Sequence, residues 1–236
     1  MNEELDKLIK KLLLLGNRVK RLSENRFIVT NNMTRKRRIA IGEGRRGFLS
    51  DEYDDIQPLA GSDYFLVRVD NAYGFVYKTN KLNAGQTYES LEKAVMTSNG
   101  VYAAIAMLKE GLTGVVDTHD NVLIPFYHNK IDLFETKHGW VYVGHTWDHT
   151  KVYNDRGGIY KVTSIVGLRN LIIGYDKVCI FSNNSNYLSK AIISSLDGKV
   201  MKILDDVVLM YEGNNAEIWD SSKTRRLERV KLADYY

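Results

Sequence analysis

The stretch LTGVVDTHDNVLIPFYHNKIDLF, residues 112–134, sets short apolar strands around a polar turn, and the rest of the chain holds near relatives of it. Its β-branched and aromatic residues suit a pleated surface, while DTHDN supplies the Asp and Asn that tolerate tight-turn backbones. First strands of the same kind read DYFLVRVD (63–70), VYAAIAML (101–108), WVYVGHTW (140–147), NLIIGYD (170–176) and DVVLMYEG (206–213). Their partners read YGFVYKTNKL (73–82), TGVVDTHDNVLI (113–124), KVYNDRGGIYKV (151–162), KVCIFSNNSNYL (177–188) and EIWDSSKTRRL (217–227). The first strands begin at residues 63, 101, 140, 170 and 206, so the unit recurs every 30 to 39 residues. A period of that size marks a repeat array.

Each partner strand runs into a polar turn, KTNKLN, DTHDN, NDRGG, SNNSN or DSSKT, and then into another apolar strand. The pattern predicts a meander of at least three strands per unit. A weaker copy precedes these in RRIAIGEGRRGFLSDEYDDIQPL (37–59), which makes five units, or six with that copy. A lone unit of this size is marginal in water and must bury its faces against its neighbours. The expected fold is therefore all-β: repetitive meander units closing as a five- or six-bladed β-propeller-like domain over residues 25–236. Residues 1–24 are expected to form one N-terminal α-helix and a linker. The helix spans Glu3 to Leu15, with Leu5, Leu8, Leu12 and Leu15 on one stripe and a stop at Gly16. Ile9, Leu13 and Leu14 widen the apolar face beyond a coiled-coil seam, so the stripe is expected to pack on the β domain.

The run from Thr113 to Phe134 resembles a WG repeat. Gly114, Val115, Val116, Asp117, Ile124, Pro125, Tyr127, Ile131 and Phe134 fit that family's pattern, and Thr113 stands where it carries Trp. YGFVYKTNKLNAGQTYESL (73–91) is similar at Tyr73, Gly74, Phe75, Val76, Tyr88 and Leu91, and RRGFLSDEYDDI (45–56) at Gly47, Phe48, Tyr53 and Ile56. The resemblance implies a repetitive β scaffold used as an interaction module.

Hydrophobic residues make up 44% of the 236 and charged residues 26%, as in ordinary globular proteins, so disorder is not the default reading. The single cysteine, Cys179, excludes an intrachain disulfide, and its neighbours Val178 and Ile180 mark it as a core thiol. The apolar run of the helix, Leu12 to Leu15, falls far short of the roughly 20 residues of a membrane-spanning helix, as does the eight-residue run Val101 to Leu108, and no cleavable signal follows the start. A soluble, cytoplasmic protein is expected. Residues 1–46 hold 13 Lys or Arg against 5 Asp or Glu, although the whole chain carries only +4. Arg35, Lys36, Arg37, Arg38, Arg45 and Arg46 are the expected partner-binding residues. They suit another protein with an acidic surface or, as the alternative, nucleic-acid phosphates. The competing reading is a solvated edge strand guarded by its charges.

Catalytic signatures are missing. His119, His128, His138, His145 and His149 fall within 31 residues, among Asp117, Asp120 and Asp148. No HExxH or Cys–His spacing accompanies them, and no metal or cofactor is assigned. GEGRRG (42–47) fits neither phosphate-binding glycine fingerprint, and no Gly-x-Ser-x-Gly elbow occurs. A propeller glycosidase would need two converging carboxylates that the sequence does not single out. The expectation is a non-catalytic protein-interaction module using its repeat loops and basic N-terminal segment, a build that would suit a phage or mobile-element factor acting on a host complex.

Overall fold

Strands pair in chain order in the computed structural model, which describes residues 3–83, 86–165, 171–183 and 189–235. Helix α1 (Glu3–Leu14) precedes a first antiparallel sheet of β1 (Arg18–Ser23), β2 (Arg26–Thr30), β3 (Arg37–Glu43) and β4 (Arg46–Leu49). A second contains β5 (Asp55–Pro58), β6 (Tyr64–Val69) and β7 (Ala72–Tyr77), and a third β8 (Ser90–Met96), β9 (Tyr102–Met107), β10 (Thr113–Asp117) and β11 (Val122–His128). The fourth begins with β12 (Lys130–Thr136), β13 (Gly139–His145) and β14 (Thr150–Asn154). After the single-turn helix α2 (Val162–Ile165) comes a six-stranded sheet. Its strands are β15 (Leu171–Ile173), β16 (Val178–Asn183), β17 (Ser189–Ser194), β18 (Val200–Glu212), β19 (Asn215–Asp220) and β20 (Arg226–Lys231). The last strand, β21 (Asp234–Tyr235), returns to pair with β12. Among the described residues the chain thus forms five successive sheets, and the protein is all-β apart from its helices.

Two compact units arise. One contains Met1–Ala94, Ala104–Glu110 and Val116–Val122; the other contains Val95–Ala103, Gly111–Val115 and Leu123–Tyr236. In the first unit, period-2 alternation gives the sheet β1–β4 two apolar faces. Phe27, Val29 and Ala40 meet Leu5, Leu8, Ile9 and Leu12 of α1. Ile28, Ile39 and Ile41 turn the other way, onto Tyr53, Ile56, Phe65, Val67 and Val76. In the second unit β16 divides its residues likewise: Val178 and Ile180 join Val141, Val143 and Val152, whereas Cys179 and Phe181 join Ala191, Ile193 and Ile218. Cys179 is fully buried, and burial pushes its thiol up to about 12, so it is an inert core group as expected.

The helix stops where the glycine predicts. Gly16 adopts φ 78°, its N–H reaches the Leu13 carbonyl and the Asn17 N–H reaches that of Leu12, closing a Schellman motif. Three expectations need correction. Arg18–Ser23 is a strand and not a linker, because Val19 and Leu22 are half-buried between the exposed Arg18, Lys20 and Arg21. The strand after KTNKLN does not complete its own meander: Tyr88 makes an isolated bridge to Tyr73, and the chain then enters the third sheet as β8. After NDRGG the chain forms α2, with Val162 buried, in place of a strand. Residues 184–186 of the SNNSN turn lie outside the described residues.

The repeated glycine has a steric reason. A Cβ on Gly74 would lie 2.4 Å from Leu82 Cδ1, and one on Gly114 would lie 2.7 Å from the Ile124 carbonyl oxygen and 2.9 Å from the Phe126 ring. In both copies later chain crosses directly over the strand. Leu5, fully buried at the centre of the helix–sheet contact, is expected to cost about 3 kcal/mol on Leu5→Ala replacement. Leu14→Ala, at an 89% exposed position, should change stability by less than about 0.5 kcal/mol. Urea denaturation of the two variants beside the parent checks the contrast.

Candidate functional site

The six basic residues singled out above do not form one patch. Arg37 and Tyr53 exchange two backbone hydrogen bonds of 2.8 Å, an isolated antiparallel bridge that sets Lys36 opposite Asp54 and Arg38 opposite Glu52. The side chains follow. Lys36 pairs with Asp54 at 2.5 Å and Arg38 with Glu52 at 2.9 Å, while Arg37 reaches Asp55. The Lys36 hydrogen bond holds the Asp54 carboxyl below the usual range, and the carboxylate raises the Lys36 ammonium in turn. Arg35 sits exposed in the turn before β3 at φ 64°. Arg45 is exposed in the turn after it, and Arg46, also exposed, opens β4 and faces Glu43 across the ladder. The seven residues of β3 hold the two ends of the cluster about 20 Å apart.

A cleft opens beside the acidic run, within the first unit. Two adjoining cavities of about 580 and 520 Å³ share Asn71, Ala72, Thr87 and Lys109. Val69, Ala72, Leu82 and Leu108 supply apolar lining, and Asp51, Glu52, Asp70, Glu89 and Glu110 outnumber Lys81 and Lys109 around it. The walls are connecting segments: the β4–β5 run, the β6–β7 turn, Lys81 and Leu82 with Thr87–Glu89, and the β9–β10 turn. Tyr53 and Tyr88 line it too. Burial, then the charge of Asp51, pushes the Tyr53 phenol up to about 12; burial, then Asp120 and Asp117, does the same for Tyr88. Both are neutral posts at physiological pH, and Tyr53 donates to the Asn80 carbonyl at 3.2 Å.

Equivalent backbone bonds fix the repeat register. Asp54 N–H meets the Arg68 carbonyl, Glu89 that of Met107, and Asn129 that of His145. Tyr53, Tyr88 and His128 are therefore equivalent, not Tyr127. The sequence carried the signal, since Ile56, Leu91 and Ile131 each follow three residues later.

The histidines separate in space. In the first unit His119 packs edge-on against Tyr64, and Asp117 accepts the N–H groups of His119 and Asn121, a turn-capping role. In the second unit His145 Nε2 lies 3.2 Å from Asp132, and His149 Nδ1 lies 2.6 Å from Asp148. Burial would raise the Asp132 carboxyl, but hydrogen bonds from His145, Lys130 and Tyr235 overcome that and hold it far below the usual range. The Tyr235 bond helps fasten the final strand β21. His138 only closes the β12–β13 turn, its N–H donating to Thr136. His128 is fully buried on Gly144, with Nε2 at 2.9 Å from the Tyr153 hydroxyl, which lies 2.5 Å from that of Tyr127. Lys151 donates to Tyr127 at 3.0 Å. Among the described residues no three His, Cys, Asp or Glu side chains converge as metal ligands, and no helix is long and apolar enough to cross a membrane.

No family model and no curated protein matches the chain. Solved structures similar to it include a eukaryotic initiation factor, at 11% identity over 89% of this chain and 74% of that one with TM-score 0.38. Apo AztD from Citrobacter koseri gives 8% identity over 89% and 70%, also at 0.38. KlHsv2 with a loop replaced by a Gly-Ser linker gives 11% over 86% and 74%, at 0.34. AztD and KlHsv2 are propeller-like folds. Likenesses this slight leave the fold resting on the strand pairing itself.

Burial, reinforced by the charges of Lys151, His149 and His145, pushes the His128 imidazole down to about 4. The unfolded chain titrates it near 6.5, so its contribution is complete above that pH and is lost as pH falls toward 4. Between pH 7.5 and 4.5 the unfolding free energy is expected to drop by about 2 to 3 kcal/mol from this group. His128→Gln should flatten that part of the profile in urea titrations. An unchanged slope would assign the loss to other groups.

Proposed function

We propose that the chain is a non-catalytic protein-interaction module that binds a partner through the cleft built by its connecting segments. The observation that carries this reading is the cleft itself. Its volume lies in the range of working binding sites, its lining is apolar with charged groups around it, and its walls are turns and connecting runs held by rigid sheets. Its titratable lining suits binding better than catalysis, because the two phenols are raised far from neutrality and stay protonated at physiological pH. The reading keeps the propeller-like closure expected from the repeat period, supported by five successive sheets, and a cytoplasmic setting, supported by an unpaired buried thiol.

Nucleic-acid binding is a second reading, and one observation favours it. Arg18, Lys20 and Arg21 are exposed along the sheet edge formed by β1. The β3 cations, by contrast, are already paired with carboxylates. Contacts to phosphates would give an affinity for a random oligonucleotide that falls steeply with salt, by about one log unit per contact for each log unit of salt.

Ala72→Trp tests the cleft, because Ala72 lines both cavities and is half-buried. Affinity purification from the native cell with parent and variant side by side should lose the partner with the variant, while the two chains melt within a few degrees of each other. Equal recovery sinks the reading.

A further inference from the structure

The last turn of α1 overhangs the sheet it packs on. Leu13, Leu14 and Leu15 are 51%, 89% and 69% exposed, and Met33 in the neighbouring turn is 93% exposed. Asn32 Nδ2 donates to the Gly16 carbonyl, which ties that turn to the helix end and brings the apolar residues onto one surface. Monomeric proteins rarely expose such a contiguous apolar group without a use for it. Beside it lies a recess of about 220 Å³, walled by Leu12, Leu15 and Val29, with Lys36, Arg38 and the latter's partner Glu52 also lining it. Lys10, Lys11, Arg18 and Arg35 surround the overhang in sequence, are exposed, and have no ion pair among the described residues.

We propose that this surface docks an acidic amphipathic segment of a partner protein, one apolar side chain entering the recess and flanking carboxylates meeting Arg35 and Arg18. Charge complementarity selects the occupant, since the four exposed charges without an ion pair that adjoin the overhang in sequence, Lys10, Lys11, Arg18 and Arg35, are all positive among the described residues. The recess selects protein over lipid: a side chain fills a concave pocket of this size, whereas a bilayer offers a flat surface. Apolar anchors at helical spacing along one face are the usual way a segment enters such a groove. The inference rests on the interaction-module reading only in taking the occupant to be protein. Of the residues lining the cleft the recess shares one, Glu52, which is held by Arg38 and is changed in none of the variants below.

The test uses the full chain and a fluorescein-labelled peptide of about 15 residues, long enough to begin forming a helix, built from Ala with Leu at helical spacing and Glu beside each Leu. Anisotropy should report binding that weakens at least about tenfold in the double variant Leu14→Ser, Met33→Ser, with an unchanged melting temperature. Arg18→Ser with Arg35→Asn should weaken it similarly and reduce its salt dependence. The peptide with Lys for Glu should fail to bind, and Ala72→Trp should leave binding intact, which separates this surface from the cleft. Three outcomes overturn the proposal: undiminished binding to the Leu14, Met33 variant, equal binding of acidic and basic peptides, or binding to phosphatidylserine vesicles with none to the peptide.

Discussion

A meander sheet with runs of consecutive apolar residues in its central strands has two faces to hide, and this requirement organises the N-terminal unit. On β2 and β3 the alternation sends Phe27, Val29 and Ala40 one way and Ile28, Ile39 and Ile41 the other. Helix α1 covers the first face through Leu5, and Tyr53, Ile56 and the β6–β7 strands cover the second. Burying a leucine or isoleucine completely is worth about 1.5 to 3 kcal/mol, so neither face can be left to water in a structure of ordinary stability. The helix is thus a cover for a sheet that begins the array. Its last turn extends beyond what the sheet needs.

The same arithmetic explains why the charges of β3 matter less than their number suggests. Each of the three cross-strand pairs is partly exposed, and such pairs contribute about 1 kcal/mol or less. Their larger effect is to cancel one another's field. The basic excess of the first 46 residues therefore acts through cations with no ion pair among the described residues, such as Arg35 in its turn and Arg18 and Lys20 along the edge strand.

Legibility followed the range of the interaction. The strand pairs, the helix and the stop at Gly16 depend on neighbours within a few residues, and the sequence displays them. The ion pairs join residues 14 to 18 positions apart, and only the Arg37–Tyr53 bridge determines which acid meets which base. The cleft is less legible still, because its walls come from four separate connecting segments whose residues are ordinary turn chemistry. The misplacement of Tyr127 has a local cause: adjacent aromatics at 127 and 128 offered two registers, and the ladder chose His128. The strand after KTNKLN went unread for a related reason, as periodicity identifies a strand but not its sheet.

His128 shows what that register choice costs. At the equivalent positions Tyr53 and Tyr88 keep a phenol neutral across the physiological range, so burial there carries no titration penalty near pH 7. An imidazole in the same place must be held neutral against its own tendency to protonate, with Nδ1 left without a hydrogen-bond partner among the described residues. Gly144 is the accommodation: its Cβ, if present, would lie 2.6 Å from the ring, so glycine on β13 makes room for the histidine on β11. The copy that most resembles the repeat pattern thereby carries a titration that its equivalents lack at this position, and it comes from one ring where they hold a phenol.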